Sequence, residues 1–127
     1  LKRRPENEPL QEFANSMEEM LKSRLELAQA ARDRGDYGQS METYSSLAKK
    51  FAGVPGAKDA DAAAGEISKD KEAKDDLAAA KKWRTAMASW RKGDFDKALK
   101  SVKSIAKKYG DTATGQRAEE MLSRHAD

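Results

Sequence analysis

Two stretches of this chain repeat one pattern of glycine, aspartate and aromatic residues, and that duplication limits the folds open to it. The first copy begins at Gly35-Asp36-Tyr37, and the second begins 58 residues later at Gly93-Asp94-Phe95. Apolar residues follow both copies at the same spacing, and they are Met41, Tyr44, Leu47 and Phe51 in the first and Leu99, Val102, Ile105 and Tyr109 in the second. A repeated helix, turn and helix is typical of stacked helical hairpins that form a binding surface rather than one catalytic pocket.

The composition favours an all-α fold. Hydrophobic residues make up 38% of the 127 residues and charged residues 37%, which suits one folded domain with a large solvated surface. Alanine, lysine, glutamate and leucine are common while valine and isoleucine are scarce, and the common side chains lose little rotamer freedom in a helix. No segment alternates apolar and polar residues as a strand does. We therefore expect about six helices and no strands.

The order of segments predicts one domain after a short tail. Residues 1–9 combine basic residues with two prolines, which predicts a flexible basic tail or linker. Residues 10–127 are expected to form a single helical domain with one repeat at about 10–67 and a second at about 70–126. The chain begins at Leu1 and not with methionine, which favours a segment of a longer protein.

Helix signals divide the domain further. The first helix carries a long apolar stripe that ends at Gly35, and its members are Leu10, Phe13, Met17, Met20, Leu21, Ala28 and Ala31. Asp36 and Asp94 are expected to cap the helices that follow them, and Phe95 is expected to join the core. The segment that starts at Ser68 is mostly charged and predicts a break or kink near 68–71, and a last helix is expected at about 112–125.

The chain lacks the residues from which most catalytic and metal sites are built. It has no cysteine and a single histidine, His125, which lies in the last predicted helix. Adjacent acidic residues such as Asp75 and Asp76 point about 100° apart on a helix, so they are expected at the surface rather than as an acid and base pair. No phosphate-binding loop, nucleophile motif or membrane-spanning apolar run is present. We expect no enzyme, no catalytic, cofactor-binding or metal-binding residue, and no membrane span.

The pattern around each glycine resembles the tetratricopeptide repeat, in which small residues let two helices cross closely. The matching residues are Ala28, Gly35, Tyr37, Ser40 and Tyr44 in the first copy, and Ala86, Gly93, Phe95, Ala98 and Val102 in the second. The 58-residue period is longer than the period of about 34 usual in that family. The resemblance implies two helical-hairpin repeats in a short right-handed helical stack. The endings of the two copies resemble bacterial envelope tetratricopeptide proteins and the helical C-terminal extensions of thioredoxin-like proteins, which leaves periplasm, envelope and cytoplasm open.

The resemblance also implies where a partner would bind. First-helix positions of such repeats line the groove that faces the ligand. The candidates are Trp83, Met87, Trp90 and Arg91 in the second repeat, and Leu25, Gln29 and Arg32 in the first. Tryptophan anchors inserted peptides, and arginine binds carboxylates through two parallel hydrogen bonds. Core packing is the simpler alternative for the two tryptophans, because they are seven residues apart and share one helical face.

Three functions remain open. The primary prediction is a non-catalytic scaffold or interaction module that takes a protein or peptide partner, with a homo-oligomer also open. The first alternative is a helical C-terminal accessory or dimerisation domain of a larger bacterial enzyme, such as a thioredoxin-like one. Weak nucleic-acid binding is the second, since residues 81–110 carry ten Lys or Arg against two Asp. Nucleic acid is disfavoured because no aromatic residues interleave the lysines, which favours a solvated helix face.

Overall fold

Six α-helices follow one another along residues 7–125, which are the part of the chain that the computed structural model describes. The helices are α1 (Asn7–Asp33), α2 (Tyr37–Lys50), α3 (Ala57–Lys69), α4 (Lys74–Arg91), α5 (Phe95–Lys108) and α6 (Ala113–Arg124). A short 3-10 helix, Lys71–Ala73, precedes α4, and no strand occurs within residues 7–125. The prediction of an all-α fold with six helices is therefore confirmed.

The N-terminal boundary differs from the prediction. α1 begins at Asn7, so it includes three residues that were assigned to the tail of residues 1–9. Residues 1–6 and 126–127 lie outside the described part of the chain, and the predictions that concern them stay predictions.

Two glycine corners reverse the chain direction in the same way. Gly35 and Gly93 have φ of 83° and 89°, a left-handed conformation that favours glycine because a Cβ would be strained there. The next N–H donates to the carbonyl five residues earlier, at 2.9 Å for Asp36 and 3.0 Å for Asp94. The following helices, α2 and α5, are both 14 residues long. The duplicated sequence thus folds into two corners of matching local geometry, while the tetratricopeptide assignment and the right-handed stack stay predictions.

The helices surround two hydrophobic cores, one in each half of the described chain. Core one lies among α1, α2 and α3, and its largest buried members are Leu21, Tyr44, Leu47, Phe51 and Ile67. Core two lies among α4, α5 and α6, and its buried members are Ala79, Ala86, Val102, Ile105 and Ala118. α4 also packs against α2 and so connects the two halves.

The first half of α1 projects beyond its neighbours. α1 has 27 residues and α2 has 14, which correspond to lengths of about 40 Å and 21 Å. Leu10 and Phe13 are exposed because α2 covers only the part of α1 nearest the corner. Met20 is exposed because it lies on a different side of α1 from its buried neighbour Leu21. The prediction that the whole stripe faces a core is therefore wrong for these three residues. Leu21 and Ala28, later in the stripe, are buried as predicted.

The helix caps confirm one prediction and correct another. The Asp94 carboxylate accepts the N–H three residues later at 3.4 Å and so caps α5. The Asp36 side chain makes no cap hydrogen bond, because it is bound by Arg117 of α6 instead. The break predicted at 68–71 is confirmed at Asp70, whose carboxylate accepts the N–H of Glu72 at 2.9 Å.

Candidate functional site

A groove between α4 and α6 combines one of the predicted tryptophans with side chains that the sequence did not single out. Trp83 of α4 and four residues of α6 line a cavity of about 330 Å³, and the four are Arg117, Glu120, Met121 and Arg124. Trp83 and Met121 are half-buried against core two and form the floor. Glu120 and Arg124 are exposed at the rim. We call this surface the α4–α6 groove.

Helical periodicity explains why these side chains meet. Trp83, Met87 and Trp90 recur at intervals of four and three residues in α4, so they lie on one side of that helix. Met121 and Arg124 share a side of α6 by the same rule. Met87 is half-buried against core two. Part of the predicted face of α4 therefore packs against the core, and part of it is exposed. Core packing, the alternative foreseen for the tryptophans, therefore holds for one side of Trp83.

An aromatic cluster lies at the C-terminal end of α4. The ring of Trp90 meets the ring of Phe95 edge to face, with centroids 4.7 Å apart and planes at 70°. The His125 ring lies 5.2 Å from Trp90, and such offset contacts suit aromatic pairs. Phe95 is 50% exposed, so the prediction that it joins the core is wrong. Trp90 and Phe95 consequently present aromatic surface to solvent.

The charges around the α4–α6 groove are mainly basic. Arg117 binds Asp36 on one side, and its side chain is 39% exposed. Arg124 pairs with Glu120 at 2.6 Å, and both side chains are exposed. An exposed pair of this kind contributes at most about 1 kcal/mol. Arg91, another predicted residue, is exposed at the end of α4. A bound carboxylate can therefore replace Glu120 as the partner of Arg124 at little cost.

Of the seven predicted residues, Trp83 alone lines this groove, and the three on α1 lie apart from it. Leu25 lines a separate cavity of about 350 Å³ beside the turn between α2 and α3. The Tyr44 hydroxyl donates to Oε1 of Gln29 at 3.1 Å, and Arg32 pairs with Glu66 at 3.6 Å. The seven predicted residues thus do not gather into one groove, since four lie along α4 and three lie along α1 in the other half of the chain.

A buried polar cluster that the sequence did not reveal connects the two halves. Asp76 at the start of α4 is 2% exposed and accepts the N–H of Gly38 at 2.8 Å and that of Thr114 at 2.9 Å. Asp36 is equally buried and binds Arg117. The prediction that Asp76 is surface charge is therefore wrong. Asp76 fixes the first turns of α2 and α6 against α4, and Asp36 fixes the start of α2 against α6. A hydrogen bond to a charged group contributes about 1.5–3 kcal/mol.

A tyrosine borders this buried cluster. Burial raises the pKa of the Tyr37 phenol, and the nearby carboxylates of Glu72 and Asp70 raise it further. The phenol is therefore neutral near pH 7, where it serves as a hydrogen-bonding group and not as a base. Together with Asp76, it lines a cavity of about 260 Å³.

The lysine series of α5 forms an exposed helix face, as the sequence predicts. Its members are Lys97, Lys100, Lys103 and Lys107. The ring of Tyr109 lies at the end of α5, and the Nζ atoms of Lys82 and Lys108 lie 5.8 Å and 5.5 Å from its centre. Because this ring already contacts two of the chain's own cations, it is poorly placed to stack on a nucleobase.

Two kinds of site are not found among residues 7–125. No three metal-ligating side chains of that range gather into a metal site. None of the helices described there has the length and apolarity that crossing a membrane requires.

Comparison of the chain with protein-family models, with curated proteins and with solved structures gave no significant match. The likeness to the tetratricopeptide repeat stays a prediction that depends on the duplicated sequence pattern.

Proposed function

We propose that this chain is a non-catalytic protein-interaction module that binds a peptide segment of a partner in the α4–α6 groove. One observation carries the proposal, namely that an aromatic floor and a basic rim share one open cavity. Trp83 supplies the floor and Arg124 the exposed rim. Trp90 and Phe95 continue the aromatic surface beyond it.

The chemistry of the groove defines the partner segment. A half-buried tryptophan in a concave surface takes an aromatic or aliphatic anchor, because such contacts supply most of the energy of small interfaces. Exposed guanidinium groups take carboxylates in a bidentate manner. The expected ligand is therefore a short segment that carries one or two large apolar side chains beside Asp or Glu.

The rigidity of the groove favours binding of such a segment. Trp83 and Met87 pack against core two, so their rotamers are fixed before a partner arrives. A preformed site loses little conformational entropy on binding, which leaves more of the contact energy as affinity. The inward side of the Trp83 ring supports the fold, and its outward side is available to a ligand.

Intrinsic fluorescence offers a direct test, because the two tryptophans of the chain both belong to α4. We expect peptides selected from a random display library to be rich in acidic and large apolar residues and to shift the tryptophan emission on titration. Arg124→Glu should weaken their binding at least about tenfold by replacing attraction with repulsion. Phe95→Ala should weaken it by a smaller factor.

Both variants alter exposed side chains, so their folds are expected to be intact by circular dichroism. Lys97→Glu is the matched control, because it makes the same change of charge on the exposed face of α5 and should leave binding unchanged. The proposal fails if no peptide shifts the emission, or if Arg124→Glu and Lys97→Glu have equal effects.

A further inference from the structure

The exposed side of α1 carries large apolar residues at a regular interval. Phe13, Met20 and Leu27 are spaced seven residues apart and are 65%, 44% and 67% exposed. Leu10, at 69%, continues the same surface toward the N-terminal end. A seven-residue apolar repeat is the pattern by which one helix packs along another in a left-handed pair. We call this surface the α1 stripe.

The stripe passes into a groove at its C-terminal end. Leu27 and Ala31 of α1 and Leu47 of α2 line an open cavity of about 580 Å³ between the two helices. This volume is large enough for the side chains of another helix. Leu27 belongs both to the α1 stripe and to this α1–α2 groove, so the two adjoin along α1.

The charges along α1 are distributed unevenly, and their distribution selects a partner. Residues 9–21 carry three glutamates and neither Lys nor Arg. The α1–α2 groove instead has Arg24, Arg34 and Lys50 at its edge, opposed by Glu42. One end of the surface is therefore acidic and the other basic, so the surface complements a copy of itself that runs in the opposite direction.

We propose that the α1 stripe is the interface of a homodimer in which two α1 helices pack antiparallel, with the two-fold axis near Met20. Phe13 of one chain then lies over the α1–α2 groove around Leu27 of the other, and this contact occurs twice, as an isologous interface requires. The glutamates of each chain meet the basic edge of its partner. A parallel pair would place glutamates against glutamates, and like charges in contact oppose association.

This inference goes beyond the proposed peptide-binding function and does not depend on it. The interface belongs to α1 and α2, whereas the peptide groove belongs to α4 and α6. Loss of one activity is expected to leave the other intact, and the two proposals can therefore fail separately.

Analytical ultracentrifugation of the full chain tests self-association. We expect the mass to rise with concentration in the micromolar range from 14.0 kDa for the single chain to twice that value. Phe13→Glu and Leu27→Glu should each weaken the dimer at least about tenfold, since each places a carboxylate in an apolar contact. Both residues are exposed in the single chain, so the helical circular dichroism of the variants should match that of the unchanged protein.

Phe95→Glu is the matched control. It introduces the same charge at another exposed aromatic residue, and it should leave the dimer intact. A chain that stays at 14.0 kDa at the highest concentration overturns the proposal. So does a dimer that Phe95→Glu weakens and Phe13→Glu does not.

Cysteine cross-linking tests the antiparallel direction, because the natural chain has no cysteine. Ser16 and Ser23 are exposed on α1 on opposite sides of the proposed axis. A mixture of Ser16→Cys chains with affinity-tagged Ser23→Cys chains should form mixed disulfides several-fold faster than either variant pairs with itself. Preferential pairing of like variants would show a parallel dimer and overturn the proposal.

Vesicles of phosphatidylcholine and phosphatidylglycerol test the other use of an amphipathic helix, which is binding to a lipid surface. The acidic residues of α1 should prevent the chain from sedimenting with these vesicles. Sedimentation that Phe13→Glu abolishes, together with a monomeric chain in solution, would assign the α1 stripe to lipid and reject the dimer.

Discussion

At the first glycine corner, Asp36 is 2% exposed and its carboxylate binds Arg117, whereas Asp94 at the second corner is exposed and caps its own helix. The backbones of these residues hardly differ, with φ and ψ of −87° and 65° for Asp36 and of −88° and 71° for Asp94. The difference lies in the neighbours, because α4 packs against α2 and Arg117 of α6 binds Asp36, while residues 95–97 at the start of α5 are exposed. The local sequence thus determines the corner, and the tertiary neighbour determines what the corner's polar group does.

The same contrast continues into the first turn of each helix. Gly38 in α2 is buried and donates its N–H to Asp76. The equivalent residue of α5 is Asp96, which is exposed. Glycine at position 38 lets α4 approach the backbone of α2, and no such approach occurs at position 96. These paired positions allow the contrast between the corners to be tested.

The largest difference in the free energy of unfolding is expected between the variants Gly38→Ala and Asp96→Ala. A Cβ on Gly38 would overlap the Cβ of Ala80, so α2 and α4 must separate and strain the hydrogen bond to Asp76. Overpacking of this kind costs about 1–3 kcal/mol. Asp96→Ala changes an exposed side chain and should alter the free energy of unfolding by less than about 0.5 kcal/mol.

Urea unfolding followed by far-ultraviolet circular dichroism measures both variants at neutral pH. Equal effects of Gly38→Ala and Asp96→Ala would show that α4 does not approach α2 closely, and the contrast between the two corners would then be wrong. A loss of stability in Gly38→Ala but not in Asp96→Ala would support the contrast between the two corners.

A smaller difference in the free energy of unfolding is expected between Asp36→Ala and Asp94→Ala. Removing Asp36 leaves Arg117 without its partner, and because that arginine is 39% exposed we expect a loss of about 1–3 kcal/mol, below the range for a fully buried pair. Removing Asp94 deletes a helix cap and should cost about 0.5–1 kcal/mol. Combining Asp36→Ala with Arg117→Ala in a double-mutant cycle isolates the pair, and a coupling energy near zero would contradict its role.

The sequence predicts the local features of this fold well. Gly35 and Gly93 end their helices as predicted, and Leu21 and Val102 are buried where apolar periodicity placed them. These features depend on residues near one another in the chain, so a short window contains the information that determines them. The exposure of Phe13 escapes such reasoning, because periodicity shows that a helix has an apolar side but not whether another helix covers it.

The candidate site is only half predictable for a related reason. Trp83 and Trp90 can be chosen from the sequence, because they are large aromatic residues on one side of a helix. Arg117 and Met121 are ordinary members of a charged helix until α6 is known to pack against α4. Asp76 is the clearest example, because its two hydrogen-bond donors lie 38 residues away on either side. No local pattern distinguishes such a carboxylate from surface charge.

The smallest difference in the free energy of unfolding is expected within the two cores. Tyr44 of core one and Val102 of core two are equivalent positions of the duplicated sequence. The Tyr44 hydroxyl donates to Gln29, so Tyr44→Phe should lower the free energy of unfolding near neutral pH by about 0.5–1.5 kcal/mol.

Burial raises the pKa of the Tyr44 phenol above its usual 10.0, although Arg32 acts in the opposite direction. The unfolded chain therefore loses this proton first, and the stability that the neutral phenol contributes is complete below pH 10.0 and is lost as the pH rises through the folded-state pKa. The unchanged protein should lose stability above pH 10.0 more steeply than Tyr44→Phe, so the gap between their free energies of unfolding should narrow. Urea unfolding at neutral and strongly alkaline pH measures that gap, and a constant gap would mean that the Tyr44 phenol is no more buried than in the unfolded chain. Tyr44 would then contribute no more to the alkaline pH dependence of the free energy of unfolding than Val102, which has no ionisable group. The two cores would not differ in this respect.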